Sequence, residues 1–196
     1  MKVGIVYLAA GNSRRFGANK LLYELKGRPM YQHLLLRLTE LCRECPRFQI
    51  AVVTQYEEIF ACVCGMEREG FPVQAVYSPD SRKGASYSVR AGIRAVERWS
   101  DACAFFVADQ PYLTGRSAKG FLLEMERRNA ALGSVCHEGM AGNPTWFARD
   151  YYPELLSLSG DTGGRKILKK YPEKVSYFAV EDGRELTDID EPENYR

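Results

Sequence analysis

Four short apolar runs, residues 3–8, 50–53, 73–77 and 104–108, are continuous and rich in branched or aromatic side chains, the composition of strands buried on both faces. Between them the apolar positions recur at helical spacing. Met30, Leu34, Leu38 and Leu41 follow a Pro29 suited to a first helical turn, and Val89, Ile93 and Val96 follow Ser86 and Ser88. Alternation of this kind predicts an α/β fold, a Rossmann-like three-layer sandwich whose central sheet is mostly parallel. After Ala108 the rhythm changes. The pattern then predicts a helix over 116–129, strands at 134–136 and 145–147 across the turn EGMAGN, short helices over 151–158 and 165–170, a strand at 175–180 and an acidic tail. With neither internal repeat nor linker, residues 1–196 read as one domain, its first half ending at about residue 115 and its second covering about 116–196.

The run 3–8 empties directly into LAAGNSRRFGANK, residues 8–20, which puts two glycines, two arginines and a lysine into one loop. Gly11 and Gly17 can take backbone conformations closed to other residues and let amides approach an anion, while Arg14, Arg15 and Lys20 supply positive charge. That combination predicts a polyphosphate site and hence a nucleotide ligand. Two other phosphate loops are excluded by spacing. Walker A places four residues between its glycines and then Lys with Ser or Thr, whereas five separate Gly11 from Gly17 and Ala18 follows. The dinucleotide fingerprint fails because no second glycine follows Gly11 at the required interval.

Composition narrows the partners. The 27 basic and 25 acidic residues are well mixed for a net charge of +2, so no single-signed field favours nucleic acid or an anionic membrane. No apolar run approaches the roughly 20 residues that cross a bilayer, and the chain enters strand-like sequence at Lys2 without a signal, so the expected location is cytoplasmic. Six cysteines are expected there as reduced thiols. Cys42 with Cys45 and Cys62 with Cys64 could be imagined as zinc ligands, but the second pair falls two apart in a helix and Pro46 ends the first in a turn, which favours ordinary apolar packing. His33 and His137 sit in no triad or metal motif.

Ligands of open parallel sheets sit beyond the carboxyl ends of strands, where both the loop after Leu8 and Asp109 after Ala108 lie. An acid fixed at the mouth of a buried strand is a suitable oxygen ligand for Mg²⁺, and Asp before Gln and Pro is equally a turn residue. Asp188, Asp190 and Glu191 together read as a solvated acidic tail. Ser86 and Ser88 stand where hydroxyls cap a helix, and Gly160 and Asp161 form a turn ahead of Gly163 and Gly164, which open another helix.

These segments, with GASYSVRAGI at 84–93, VADQP at 107–111, GNPTWF at 142–147, GDTGGRKIL at 160–168 and DIDEPENY at 188–195, follow one another along essentially the whole chain. In order and spacing the sequence resembles the molybdenum cofactor cytidylyltransferases, within the wider nucleotide-diphospho-sugar transferase superfamily. Phe16, Ser78 and Asn143 stand where that branch usually has Met, Asn and His. The resemblance implies an Mg²⁺-dependent nucleotidyltransferase that moves CMP from CTP to molybdopterin or molybdenum cofactor and releases pyrophosphate. By it, Arg15, Lys20 and Asp109 are catalytic, and Leu8, Ala9, Ala10, Gly11, Ser13, Arg15, Lys20, Ser78, Gly84 and Ser88 contact the nucleotide. Asp109 and Asp190 hold Mg²⁺, and Gly142, Asn143, Pro144, Gly160 and Asp161 form the acceptor pocket. Lys20→Ala is expected to be nearly inactive, and folding, for a surface loop, to survive it. The alternatives are guanylyl transfer from GTP, another phosphorylated acceptor, or a non-catalytic protein that holds cofactor for a molybdenum hydroxylase.

Overall fold

The computed structural model describes residues 1–12 and 19–190. The predicted runs become β1 (Val3–Ala9), β4 (Phe48–Thr54), β5 (Val73–Tyr77) and β6 (Ala102–Val107); β1 and β4 reach a little past their apolar segments, β5 coincides with its own, and β6 begins two residues earlier and ends one residue earlier. A two-stranded hairpin of β2 (Glu24–Leu25) and β3 (Arg28–Pro29), which periodicity did not predict, leads into α1 (Met30–Glu44). The remaining helices of this half are α2 (Glu57–Arg68) and α3 (Ala85–Val96). The second half supplies α4 (Gly115–Arg127), β7 (Leu132–His137), β8 (Met140–Ala148), α5 (Tyr152–Leu156), α6 (Arg165–Lys170) and β9 (Val175–Ala179).

Seven strands form one sheet in the order β5, β4, β1, β6, β8, β7, β9, so both halves of the chain share it. β8 is the one strand that runs against its neighbours β6 and β7, and the other paired strands are parallel. Alternation along the strands divides the core. Ile5, Tyr7, Ile50, Val52 and Phe106 pack under α1, α2 and α4, while Val6, Ala51, Val53, Cys103, Phe105 and Phe147 pack under α3, α5 and α6.

Helix α3 lies especially close to the sheet because each surface omits a side chain where the other projects one. A Cβ on Gly92 of α3 would stand 2.2 Å from Val6, and one on Gly4 of β1 would stand 2.7 Å from Val96 of α3. This fixes the amino end of α3 beside the carboxyl end of β1. Strand order reverses direction at β1, whose successor β4 lies on one side and β6 on the other, and parallel register pairs Leu8 with Val107. The chain therefore leaves β1 and β6 side by side, and a crevice opens there.

Candidate nucleotide transfer site

The crevice is a cavity of about 190 Å³ lined by Leu8, Ala10, Gly11, Asn12, Lys20 and Leu21 from the β1 loop, Ser81, Ala85 and Ser88 from the α3 approach, Val107 and Asp109 from β6, and Asp161. Its loop shoulder is tied down by residues that pattern alone does not flag. Gln55 Nε2 donates to the Ala10 carbonyl at 2.8 Å and to Asn12 Oδ1 at 3.0 Å, the Tyr56 hydroxyl donates to the Gly11 carbonyl, and Asn12 Nδ2 donates to the Arg82 carbonyl at 3.1 Å. On the far side of the loop, Asn19 Oδ1 accepts from the Leu21 amide at 3.1 Å and starts the turn that carries Lys20.

Lys20 is the electrostatic centre. Only 6% exposed, it donates from Nζ to Asp109 Oδ2 at 2.8 Å, to Asp190 Oδ1 at 2.9 Å and to the Ile189 carbonyl at 3.0 Å. Burial works against its charge, but the neighbouring Asp109 and Asp190 outweigh it and hold the ammonium above its ordinary value. Two carboxylates, one from the middle of the chain and one from near its carboxyl end, thus already converge on one cation. Behind them, burial and the Asp109 charge push the Tyr7 phenol well up, so its hydroxyl stays protonated and donates to the Tyr31 carbonyl at 2.6 Å.

Asp188 takes a different partner. Its Oδ1 accepts from Gln110 Nε2 at 2.8 Å, and burial together with the Asp109 charge raises its carboxyl while the Gln110 hydrogen bond opposes that rise. The Ile189 amide donates to the Asp109 carbonyl at 2.9 Å, which seats the arm 186–190 on the end of β6. The sequence alternatives for a second acid beside Asp109 are therefore separated by geometry: Asp190 shares Lys20 with it, whereas Asp188 is held by Gln110. Both carboxylates are solvent-exposed, as in an acidic tail, yet each is also tied to a partner at the end of β6.

The opposite wall is a chain of buried hydroxyls, with Ser88 donating to Ser81 at 2.8 Å and Ser81 donating to Ser78 at 2.9 Å. Ser86 does not cap α3. Its hydroxyl donates to the Gly160 carbonyl at 2.7 Å, and the exposed first amide of α3, on Ala85, is instead satisfied by Asp161 Oδ1 at 3.0 Å. Gly84 allows this approach, since its φ is +141° and a Cβ there would stand 2.5 Å from the Gly160 carbonyl oxygen.

Of the residues that sequence assigns to the nucleotide, Leu8, Ala10, Gly11, Lys20 and Ser88 line the cavity. Ala9 packs into the core under α1, Ser78 lies behind Ser81, and Gly84 buttresses the wall against Gly160. Ser13 and Arg15, with Arg14 and Gly17, lie outside the described residues. The acceptor group divides. Asp161 lines the same cavity as Lys20 and Asp109, while the Gly160 carbonyl is spent on Ser86. Antiparallel register pairs Phe105 with Thr145, which puts Gly142, Asn143 and Pro144 on the continuation of β8 beyond that ladder, at the carboxyl side of β6 but outside the lining of the cavity. Gly142 packs against Leu186 and its carbonyl accepts from Ser134 at 2.8 Å.

The cysteines are all unpaired thiols, and among the described residues no group of three His, Cys, Asp or Glu side chains is arranged around a metal position. His33 and His137 each spend a ring nitrogen on a carbonyl, of Leu25 and Val180. Two hard carboxylates suit Mg²⁺, which commonly takes one or two protein carboxylates and completes its shell with substrate phosphate and water. Asp109 and Asp190 fit that requirement. Among the described residues no helix is long and apolar enough to cross a membrane.

Residues 5–175 match the family of the MobA-like NTP transferase domain. The purine catabolism protein PucB of Bacillus subtilis (strain 168) is 32% identical over 196 aligned residues, covering 97% of this chain and 92% of that one. A probable molybdenum cofactor guanylyltransferase of Pyrococcus horikoshii is 41% identical over 59 residues, 30% of each chain. Among solved structures, Rv0371c from Mycobacterium tuberculosis H37Rv superposes with a TM-score of 0.77 at 22% identity, covering 100% of this chain and 96% of that one. A manganese complex of the same protein superposes at 0.69 with 21% identity, covering 92% and 89%.

Proposed function

The chain belongs to the MobA-like NTP transferase family and is a nucleotidyltransferase, and on that premise we propose that it transfers CMP from CTP to molybdopterin or molybdenum cofactor with Mg²⁺, releasing pyrophosphate. The observation that carries this reading is the Lys20 ammonium held 2.8 Å from Asp109 and 2.9 Å from Asp190 at the mouth of two parallel strands. In such a transfer an acceptor phosphate oxygen attacks the α-phosphorus of the triphosphate in line while the bond to the pyrophosphate oxygen breaks. Charge is the main obstacle, because two anions must approach and a third must leave.

The residues of the crevice answer that obstacle in a division of labour. Lys20 pairs with triphosphate oxygens in place of its carboxylate partners, and the backbone of Ala10 and Gly11, which lines the same cavity, would supply amides to that anion. Asp109 and Asp190 would hold the Mg²⁺, which would supply charge neutralisation for the phosphates. Asp161 and the α3 approach close the cavity opposite. The continuation of β8 through Asn143 offers the acceptor its place beside β6. No side chain need form a covalent bond to the nucleotide.

The name of the Bacillus relative, and the hydroxylation chemistry that purine rings undergo, support a molybdenum hydroxylase as recipient of the product. The Pyrococcus relative supports GTP as the alternative donor. The test is pyrophosphate release from CTP or GTP with Mg²⁺ and purified molybdopterin. Release with CTP that is lost in Lys20→Ala and Asp109→Asn is expected; release with GTP alone selects the guanylyl reading, and binding without release from either would make the chain a carrier instead.

A further inference from the structure

Gln110 has no part in the transfer chemistry above, yet it is 1% exposed and sits directly after Asp109. Its Nε2 donates to Asp188 Oδ1 at 2.8 Å and to the Leu186 carbonyl at 3.1 Å, while its Oε1 is buried with no hydrogen-bond partner among the described residues. Leaving a buried carbonyl oxygen unpaired is unfavourable by about 1–3 kcal/mol. Turning the amide over would not relieve it, because Oε1 would then meet a carbonyl oxygen and a carboxylate. The orientation is thus set by the arm 186–190, not by the core around Gln110.

That arm has reason to leave. Asp109, Asp188 and Asp190 lie near enough that, besides burial, the charges of the other two raise the Asp188 carboxyl, and of the three Lys20 pairs only with Asp109 and Asp190. Upstream, Glu185 ties the chain to α4 by accepting from the Thr114 amide at 2.8 Å and the Thr114 and Ser117 hydroxyls at 2.9 and 3.0 Å. Between that anchor and Asp190 the arm is held by Gln110 on Leu186 and Asp188 and by the buried Ile189, whose amide donates to the Asp109 carbonyl, so Gln110 supplies the side-chain share of the docking.

We propose that Gln110 is a positioning residue that docks the arm on the end of β6 and thereby places the Asp190 carboxylate beside Asp109. Gln110 touches neither nucleotide nor metal. It supplies the neutral donor that lets three acids share one corner, and it passes the geometry of β6 to a carboxylate 80 residues further along the chain. The inference rests on the reading of Asp109 and Asp190 as the divalent-cation pair.

The test is Mn²⁺ affinity of the full chain, measured from loss of the free-ion EPR signal, with Mg²⁺ dependence of kcat and KM measured alongside. Asp190→Asn is expected to weaken Mn²⁺ binding, and Gln110→Met, which keeps the volume but not the donor, to weaken it on the order of tenfold. Asp188→Asn keeps an acceptor for Gln110 and is expected to bind Mn²⁺ within about twofold of wild type. Gln110→Glu, which sets an oxygen against both acceptors, provides a second variant should Gln110→Met fail to fold. If Asp190→Asn weakens binding while both Gln110 variants bind normally, the positioning role is overturned and the metal reading stands. If Asp190→Asn binds normally, the metal reading fails and takes the positioning role with it. A loss in Asp188→Asn equal to that in Gln110→Met would make Asp188 itself the ligand and overturn the proposal.

Discussion

Replacing Lys20 by Met tests whether the ammonium is part of the folded framework as well as of the chemistry. The substitution removes three charge-assisted hydrogen bonds and leaves two carboxylates facing each other across the vacated position. Removing one partner of a fully buried ion pair is unfavourable by about 3–5 kcal/mol. Here the Asp109 and Asp190 side chains are 26% and 53% exposed and can rehydrate, so about 2–3 kcal/mol is the better figure. For a chain of this size each kcal/mol moves Tm by about 2–4 °C, which predicts a fall of roughly 4–12 °C in metal-free buffer. Because a divalent cation can replace the lost charge between the same carboxylates, millimolar Mg²⁺ should raise the Tm of Lys20→Met more than that of wild type. Differential scanning calorimetry with and without Mg²⁺ reads both quantities. An unchanged Tm would show that the contact is incidental, and equal Mg²⁺ shifts in the two proteins would show that Lys20 does not compete with the cation for those carboxylates.

Asp109→Asn should lower kcat/KM for pyrophosphate release by on the order of 10²- to 10³-fold with little loss of secondary structure by circular dichroism. Gly84→Ala places a Cβ 2.5 Å from the Gly160 carbonyl oxygen at a backbone φ of +141°, so urea denaturation should reveal a loss of about 1–3 kcal/mol, with nucleotide affinity falling as the Asp161 wall moves away. Burial pushes the Cys42 thiol up to about 12 and Cys103 well above its ordinary range, so native protein should label at Cys45, Cys62, Cys64 and Cys136 first and at those two only on unfolding, counted by mass spectrometry. A raised thiol pKa in the folded state means that the unfolded chain loses its proton first as pH rises. The Cys42 contribution to stability is therefore intact below the ordinary value of 9.0 and should be lost progressively as pH climbs from there toward about 12.

The sheet and the Lys20–Asp109 pair were legible in one dimension because their signals are local. An apolar run is recognisable from its own residues, and a loop or acid that follows it is carried to the carboxyl edge of the sheet; parallel pairing of Leu8 with Val107 then brings the two together. The hairpin of β2 and β3 was not legible, since each of its strands is two residues long. Lys20 illustrates the limit of loop logic. A surface position seemed safe for it, but Asp109, Asp190 and the Ile189 carbonyl converge on its ammonium and bury it, so its replacement is expected to cost stability as well as activity.

Sequence by itself therefore determined the layering of the protein, the end of the sheet that carries chemistry, and the charge types found there. Tertiary structure decided which acid pairs with which partner. Asp190 meets Lys20 across 170 positions of chain, Asp188 meets Gln110 across 78, and Asp161 takes the role of α3 cap from 76 positions away. Such contacts leave no periodic trace, because the closure of a long loop is rewarded only by packing that exists once the whole sheet has formed.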